Sequence, residues 1–257
     1  MENRQQNRKR TGLLVALALC CILAVGGGVM AWFSAQDSKT NTFTKGEGIT
    51  EPEMKPDPDT PTDPGKEPVD ETDGNIVETE WNNNSPLTPG SIIPKNPNMG
   101  IGKNSKPAYV FAMVENNLPD SAYFVLGNGW KPVEGYFDEY AGPKNAAIEQ
   151  SAETYKNGLF VYVGDGTGWQ MLAPTPDTGE GAKDNYTGEL FDKVYTNDTF
   201  DNNQINDQKN SIKVSAYFAA ASVDSDYEDE GKNQLNDEVK KEIEANVKAW
   251  AKNVKKN

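Results

Sequence analysis

The chain has 257 residues, with 39 acidic and 25 basic side chains and a formal net charge of −14, and its length suits one domain with tails. It contains no histidine, which excludes catalytic triads built on histidine and the His-Glu-x-x-His class of zinc site. The acidic charge opposes binding to nucleic acid and to anionic membranes. Nucleic acid is therefore not an expected partner.

Residues 1–31 have the layout of a secretory signal peptide. About 20 residues without a charge follow a basic start, whose cations are Arg4, Arg8, Lys9 and Arg10. Val29 and Ala31 supply the small residues that a signal peptidase requires, so we expect cleavage close to Ala31, either after Ala31 or after Trp32. Both cysteines of the chain lie in this leader, so the mature protein would have no disulfide.

Two polar segments follow the leader. Residues 32–50 are predicted to form a short N-terminal strand, which includes Thr40, Thr42 and Phe43, because threonine suits a pleated surface. Residues 51–75 are rich in proline and acids, a composition that does not bury a core. We expect them to form an extended linker that, at about 3.1 Å per residue, could reach roughly 70 Å.

Residues 76–223 are predicted to form a compact all-β domain. Residues 108–114, 123–126 and 159–163 are apolar runs of strand length, and residues 212–218 alternate between apolar and polar types. Breaks rich in glycine, asparagine and proline separate these segments. Short strands at this spacing favour a β-sandwich or a jelly roll.

Residues 224–257 are predicted to form an acidic loop and an amphipathic helix. Apolar side chains at spacings of three and four fall on one helix face, namely Val239, Ile243, Val247, Trp250 and Val254. Acids follow the predicted helix start, and lysines lie at its far end, as the helix dipole favours. The apolar face could meet a partner or a membrane, but we expect it to pack on the protein's own sheet.

Three blocks of short motifs occur in order along the chain. They are Gly26-Gly27-Gly28-Val29-Met30-Ala31-Trp32-Phe33 with residues 37–52, Trp81 with residues 89–97 and 106–111, and residues 188–194 with 212–217. Their order and spacing resemble exported proteins of Gram-positive bacteria that the SipW-type signal peptidase processes. The best-known members are the TasA-like biofilm fibre proteins and camelysin. The resemblance implies secretion, a jelly-roll-like β-sandwich and a place at the cell surface or in a biofilm matrix.

The residues argue against an enzyme. Camelysin is described as a metalloprotease, but a zinc site without histidine or cysteine would consist of carboxylates alone, a poor ligand set for zinc. Residues 165–168 and 224–230 could offer oxygen ligands to calcium, yet their spacing matches no EF-hand loop. A β-turn and a solvated acidic loop are the simpler interpretations. We therefore assign no catalytic residue, metal ion or cofactor.

The tryptophans raise the question of carbohydrate binding. Trp81 and Trp130 lie beside predicted strands, where core packing is the expected role. Trp169 follows a glycine-rich turn and is the best candidate for an exposed aromatic side chain.

Strand exchange is the assembly mechanism that these features favour. Loss of the leader would free the N-terminal strand to pair with an open sheet edge on the next copy, and the contact would propagate a filament. The predicted contact residues are Phe33, Thr40, Thr42 and Phe43. Expected partners are further copies of the chain, other matrix proteins and the signal peptidase.

Two alternatives stay open at this point. In the first, the leader is retained as an anchor, and the proline-rich linker is the stalk of a membrane-anchored surface protein. In the second, the domain is a carbohydrate-binding module that uses Trp169.

Overall fold

The computed structural model describes residues 34–38, 48–70, 74–80, 88–175, 181–198, 211–220 and 237–254. These residues contain fourteen strands and one helix. The elements in chain order are β1 (Ser34–Ser38), β2 (Met54–Pro56), β3 (Pro64–Pro68), β4 (Ile76–Val77), β5 (Ile92–Pro94), β6 (Asn98–Ile101), β7 (Ala108–Asn116), β8 (Ala122–Phe124), β9 (Trp130–Glu139), β10 (Tyr155–Tyr162), β11 (Met171–Leu172), β12 (Asn185–Glu189), β13 (Lys193–Thr196), β14 (Ile212–Ala220) and α1 (Asp237–Val254).

A large antiparallel sheet and a small one form a sandwich-like arrangement. The large sheet has the order β1-β14-β7-β10-β8-β13-β5, with β9 beside β10 and β11 beside β7. The small sheet has the order β12-β6-β4. This architecture confirms the prediction of an all-β, sandwich-like fold.

Strand β7 lies inside the large sheet and is buried on both faces. Ala108, Val110, Ala112 and Val114 belong to the core that also contains residues of the small sheet. Tyr109, Phe111 and Met113 belong to a second cluster, which includes residues of α1. Burial on both faces explains why this strand is a continuous apolar run rather than an alternating one.

Helix α1 covers the outer face of the large sheet. Of its predicted apolar stripe, Val239, Ile243, Val247 and Trp250 are buried, and Val254 packs partly buried against the same cluster. The indole ring of Trp250 lies 5.4 Å from the ring of Tyr217 on β14. The prediction that this stripe packs on the protein's own sheet is confirmed.

The prediction of an extended linker at residues 51–75 is wrong for the described part of that segment. Strands β2 and β3 pair as an antiparallel hairpin, and Pro52 and Pro56 are buried. We call residues 51–70 the docked hairpin. The composition correctly indicated that this segment has no apolar core of its own, but the segment is held by polar contacts to the sandwich.

Residue Asp184 is the main anchor of the docked hairpin. Its buried carboxylate accepts hydrogen bonds from the backbone N–H groups of Glu53 at 2.6 Å, Met54 at 2.8 Å and Lys103 at 2.9 Å. The hydroxyl of Tyr186 donates to the carbonyl oxygen of Met54. The contacts that Asp184 and Tyr186 make with the hairpin join residues about 130 positions apart in the chain.

The folded unit also begins earlier than the predicted boundary at residue 76. Ile49 is 2% exposed and lies in the main core. The N–H of Lys106 donates to the carbonyl of Gly48, and the N–H of Gly102 donates to that of Thr50. Residues 48–50 are therefore part of the sandwich, although the sequence placed them in the free strand.

Candidate assembly surface

The N-terminal strand pairs with the last strand of the sheet in the same chain. Strand β1 lies antiparallel to β14, with Ser34 opposite Ala219 and Ser38 opposite Ser215. It covers residues 215–219 of a strand that spans nine residues, Ile212–Ala220. Within the described residues, no strand pairs with the outer edge of β14 at residues 212–214.

Strand β14 is buried on both faces along most of its length. Seven of its nine residues are buried. Val214, Ala216, Phe218 and Ala220 face the core between the sheets. If β1 were removed, β14 would present a long apolar edge with unpaired N–H and C=O groups, which is a template for pairing with another strand.

The structure describes only part of the predicted exchange segment. The cleavage residues Val29, Ala31 and Trp32 and the predicted contact residues Phe33, Thr40, Thr42 and Phe43 lie outside the described residues. Within the predicted strand at 32–50, the structure describes strand pairing at Ser34–Ser38. The sequence pattern did not indicate that β14 is the strand with which this segment pairs.

The opposite edge of the large sheet, at β9, is poorly suited to pairing with a second copy. It contains Pro132 and the charged residues Lys131, Glu134, Asp138 and Glu139. Gly135 adopts a φ of 74°, and the pairing with β10 has two register shifts. Proline, charges and bulges are the features that protect edge strands from aggregation.

The remaining described edges are short or covered. Strand β5 has three residues and ends in Pro94. At the edge of the small sheet, the N–H of Tyr186 on β12 donates to the carbonyl oxygen of Thr62 in the docked hairpin. Among the described strands, β14 therefore has a long and largely apolar outer edge. The pairing of that edge depends on a short strand near the N-terminus.

The tryptophan predicted to be exposed lies instead beneath the C-terminal helix. The ring of Trp169 is 5.0 Å from that of Phe111 and 6.2 Å from that of Tyr109. The ammonium group of Lys240 lies 5.1 Å above its ring. Trp130 is 5% exposed, which confirms its predicted place in the core, and Trp81 is outside the described residues. Trp130 is therefore buried, and Trp169 is partly buried against the cluster that includes α1.

Of the two segments considered as sources of calcium ligands, the structure describes residues 165–168. Among the described residues, no group of three or more histidine, cysteine, aspartate or glutamate side chains is placed to hold a metal ion. The loop at residues 165–168 forms a turn in which the N–H of Gly166 donates to the carbonyl of Val163 at 2.9 Å. Residues 224–230 lie outside the described residues.

Comparisons with known proteins identify no relative of this chain. In the part of the chain that the structure describes, no helix has the length and apolar character needed to cross a membrane. No family model, curated protein or solved structure matches this chain.

Proposed function

We propose that this is a secreted structural protein of the cell surface or biofilm matrix, which polymerises when β1 of one copy pairs with β14 of the next. The observation that carries the proposal is the contrast between the two strands. The acceptor is a nine-residue strand of which seven residues are buried, and its edge is closed by a five-residue strand near the N-terminus. We call residues 39–47, which connect β1 to the sandwich, the connecting segment.

The connecting segment makes exchange geometrically possible. Nine extended residues span at most about 30 Å, which is enough to carry β1 to a neighbouring molecule. Exchange replaces intramolecular backbone hydrogen bonds with the same bonds between copies, so its intrinsic cost is low. Each copy gives a strand at one surface and accepts one at another, and such a head-to-tail contact propagates unless rotation closes a ring.

The chemistry of the chain is consistent with a structural role. The sequence lacks histidine, and its likeness to TasA-like proteins is the sequence-level support for export and matrix assembly. The proposal replaces the stalk alternative for residues 51–70, because a docked hairpin does not act as an extended spacer. It also replaces the Trp169 alternative, since that ring packs against Phe111.

Electron microscopy of two proteins with different start points tests this proposal. A protein that begins at Trp32 contains β1, whereas a matched protein that begins at Lys39 lacks it. We expect fibres from the first protein and folded, soluble monomers or irregular aggregates from the second. Fibres of the same form from both proteins would refute exchange through β1.

A further inference from the structure

A buried lysine–glutamate pair joins the two sheets. The Nζ atom of Lys95 lies 2.6 Å from Oε1 of Glu78, and these side chains are 5% and 1% exposed. Glu78 directly follows β4 in the small sheet, and Lys95 directly follows β5 in the large sheet. The contact therefore bridges the two layers of the sandwich.

Hydrogen bonds to backbone N–H groups hold the segments around Glu78 and Lys95 in place. The Oδ1 atom of Asn96 accepts hydrogen bonds from the N–H groups of Thr79 at 3.0 Å and Glu80 at 2.9 Å. The N–H of Lys95 donates to the carbonyl of Asp192 at 3.1 Å. The residues that follow Glu78 are thus attached to the residue that follows Lys95, so the reacting groups are oriented before any reaction.

Burial changes the chemistry that is open to this pair. A carboxylate and an ammonium group both lose hydration inside a protein, and their attraction repays that loss only in part. Proton transfer from Nζ to the carboxylate gives a neutral amine beside a carboxylic acid, and an amide between them has no charge to desolvate.

We propose that Lys95 and Glu78 form an isopeptide bond that links the two sheets covalently. The neutral Nζ of Lys95 attacks Cδ of Glu78, a C–N bond forms, and the C–O bond to the hydroxyl breaks. The hydroxyl leaves with one proton of the amine as a water molecule. No electron is gained or lost, and no further reactant is consumed.

Such a link would act as a disulfide does in other exported proteins. The two cysteines, Cys20 and Cys21, lie in the predicted leader. A covalent bond between residues 78 and 95 would restrict the unfolded chain and resist separation of the sheets. This inference does not depend on strand exchange, because the pair lies within one copy.

The chain supplies a matched control for the reaction. Lys103 and Glu53 form the same type of ion pair at 2.8 Å, but their side chains are 43% and 60% exposed. Water stabilises both charges there, so this pair should stay ionic. The purified protein should therefore be lighter than its calculated mass by one water molecule, not two.

Intact-mass measurement followed by peptide mapping tests the proposal. We expect one water to be lost in the wild-type protein and in Lys103→Met, and the full calculated mass in Lys95→Met. The map should contain a branched peptide that joins the segment around Glu78 to the segment around Lys95. A wild-type protein at its full calculated mass would overturn the proposal, as would a water loss that maps elsewhere, such as to a succinimide at Asp165.

Discussion

Replacing Asp184 with alanine should release the docked hairpin and destabilise the fold. The carboxylate accepts backbone N–H groups from Glu53, Met54 and Lys103, and hydrogen bonds to a charged acceptor contribute about 1.5–3 kcal/mol each. Glu53 and Lys103 are exposed, so water replaces part of what is lost. We expect Asp184→Ala to lower the free energy of unfolding by about 3–5 kcal/mol.

Urea denaturation and limited proteolysis measure the two parts of this effect. Trypsin should cut the variant after Lys66, which lies in strand β3 of the hairpin in the intact protein. Asp120→Ala is the control, because Asp120 forms a surface ion pair with Lys156 and its side chain is 98% exposed, so its removal should change stability by less than about 1 kcal/mol. If Asp184→Ala matched this control in stability and in cleavage, the docking would be refuted and the extended linker restored.

Three further predictions concern the helix, the buried tyrosines and the connecting segment. Trp250→Ala should lower the free energy of unfolding by about 3–5 kcal/mol, because Trp250 is 6% exposed and packs on Tyr217. A loss below about 1 kcal/mol in urea denaturation would be too small for a buried tryptophan and would show that α1 is not held by this ring. Burial raises the pKa of Tyr155 and Tyr186 above the ordinary value of 10.0, so the stability associated with their neutral forms is complete below pH 10 and is lost as the pH rises further. Ultraviolet titration should show these tyrosines ionising later in the native protein than in urea, and coincident curves would contradict their burial. If Phe43 is a junction contact, as the sequence predicts, Phe43→Asp should abolish fibres and leave the monomer folded, because burial of a phenylalanine would contribute about 1.5–3 kcal/mol per junction; fibres at the wild-type concentration in electron micrographs would refute its role.

The spacing of apolar residues along the chain was sufficient to predict strand β7 and helix α1. The continuous apolar run at 108–114 became the doubly buried strand β7, and the spacing from Val239 to Trp250 became the buried face of α1. In both, the hydrophobic pattern alone reports which faces are covered. The all-β fold follows from these segments and from the turn residues between them.

Long-range polar contacts explain what the sequence did not reveal. The prolines of residues 51–70 indicated an open chain, but the carboxylate that docks this segment belongs to Asp184, far away in sequence. Trp169 follows a glycine-rich turn, yet α1 brings Lys240 over its ring. The ion pair of Lys95 and Glu78 likewise depends on the approach of two sheets, which no local pattern encodes.

The sequence predicted β14 as a strand but did not predict that it pairs with the N-terminal strand. Residues 212–218 alternate as a half-buried strand would, whereas β14 is buried on both faces because α1 covers one of them. Its position next to the N-terminal strand is a property of the sheet order. The N-terminal strand was predicted from the sequence, whereas its pairing with β14 within the chain is seen only in the fold.

Disulfide trapping between two single-cysteine proteins tests strand exchange most directly. Asp37 lies opposite Ala216 in the register of β1 and β14, and a protein that begins at Trp32 contains no other cysteine. When Asp37→Cys protein is mixed with Ala216→Cys protein, a disulfide between them requires β1 of one copy on β14 of another. Ala220→Cys is the control partner, because it lies four residues, or about 13 Å, further along the strand.

We predict mixed disulfide dimers between Asp37→Cys and Ala216→Cys proteins at a yield well above that with Ala220→Cys. The contrary result is equally clear. If the mixed dimer did not exceed the control, while one chain carrying both Asp37→Cys and Ala216→Cys closed its own disulfide, β1 would remain in its own sheet and the proposed assembly would be wrong.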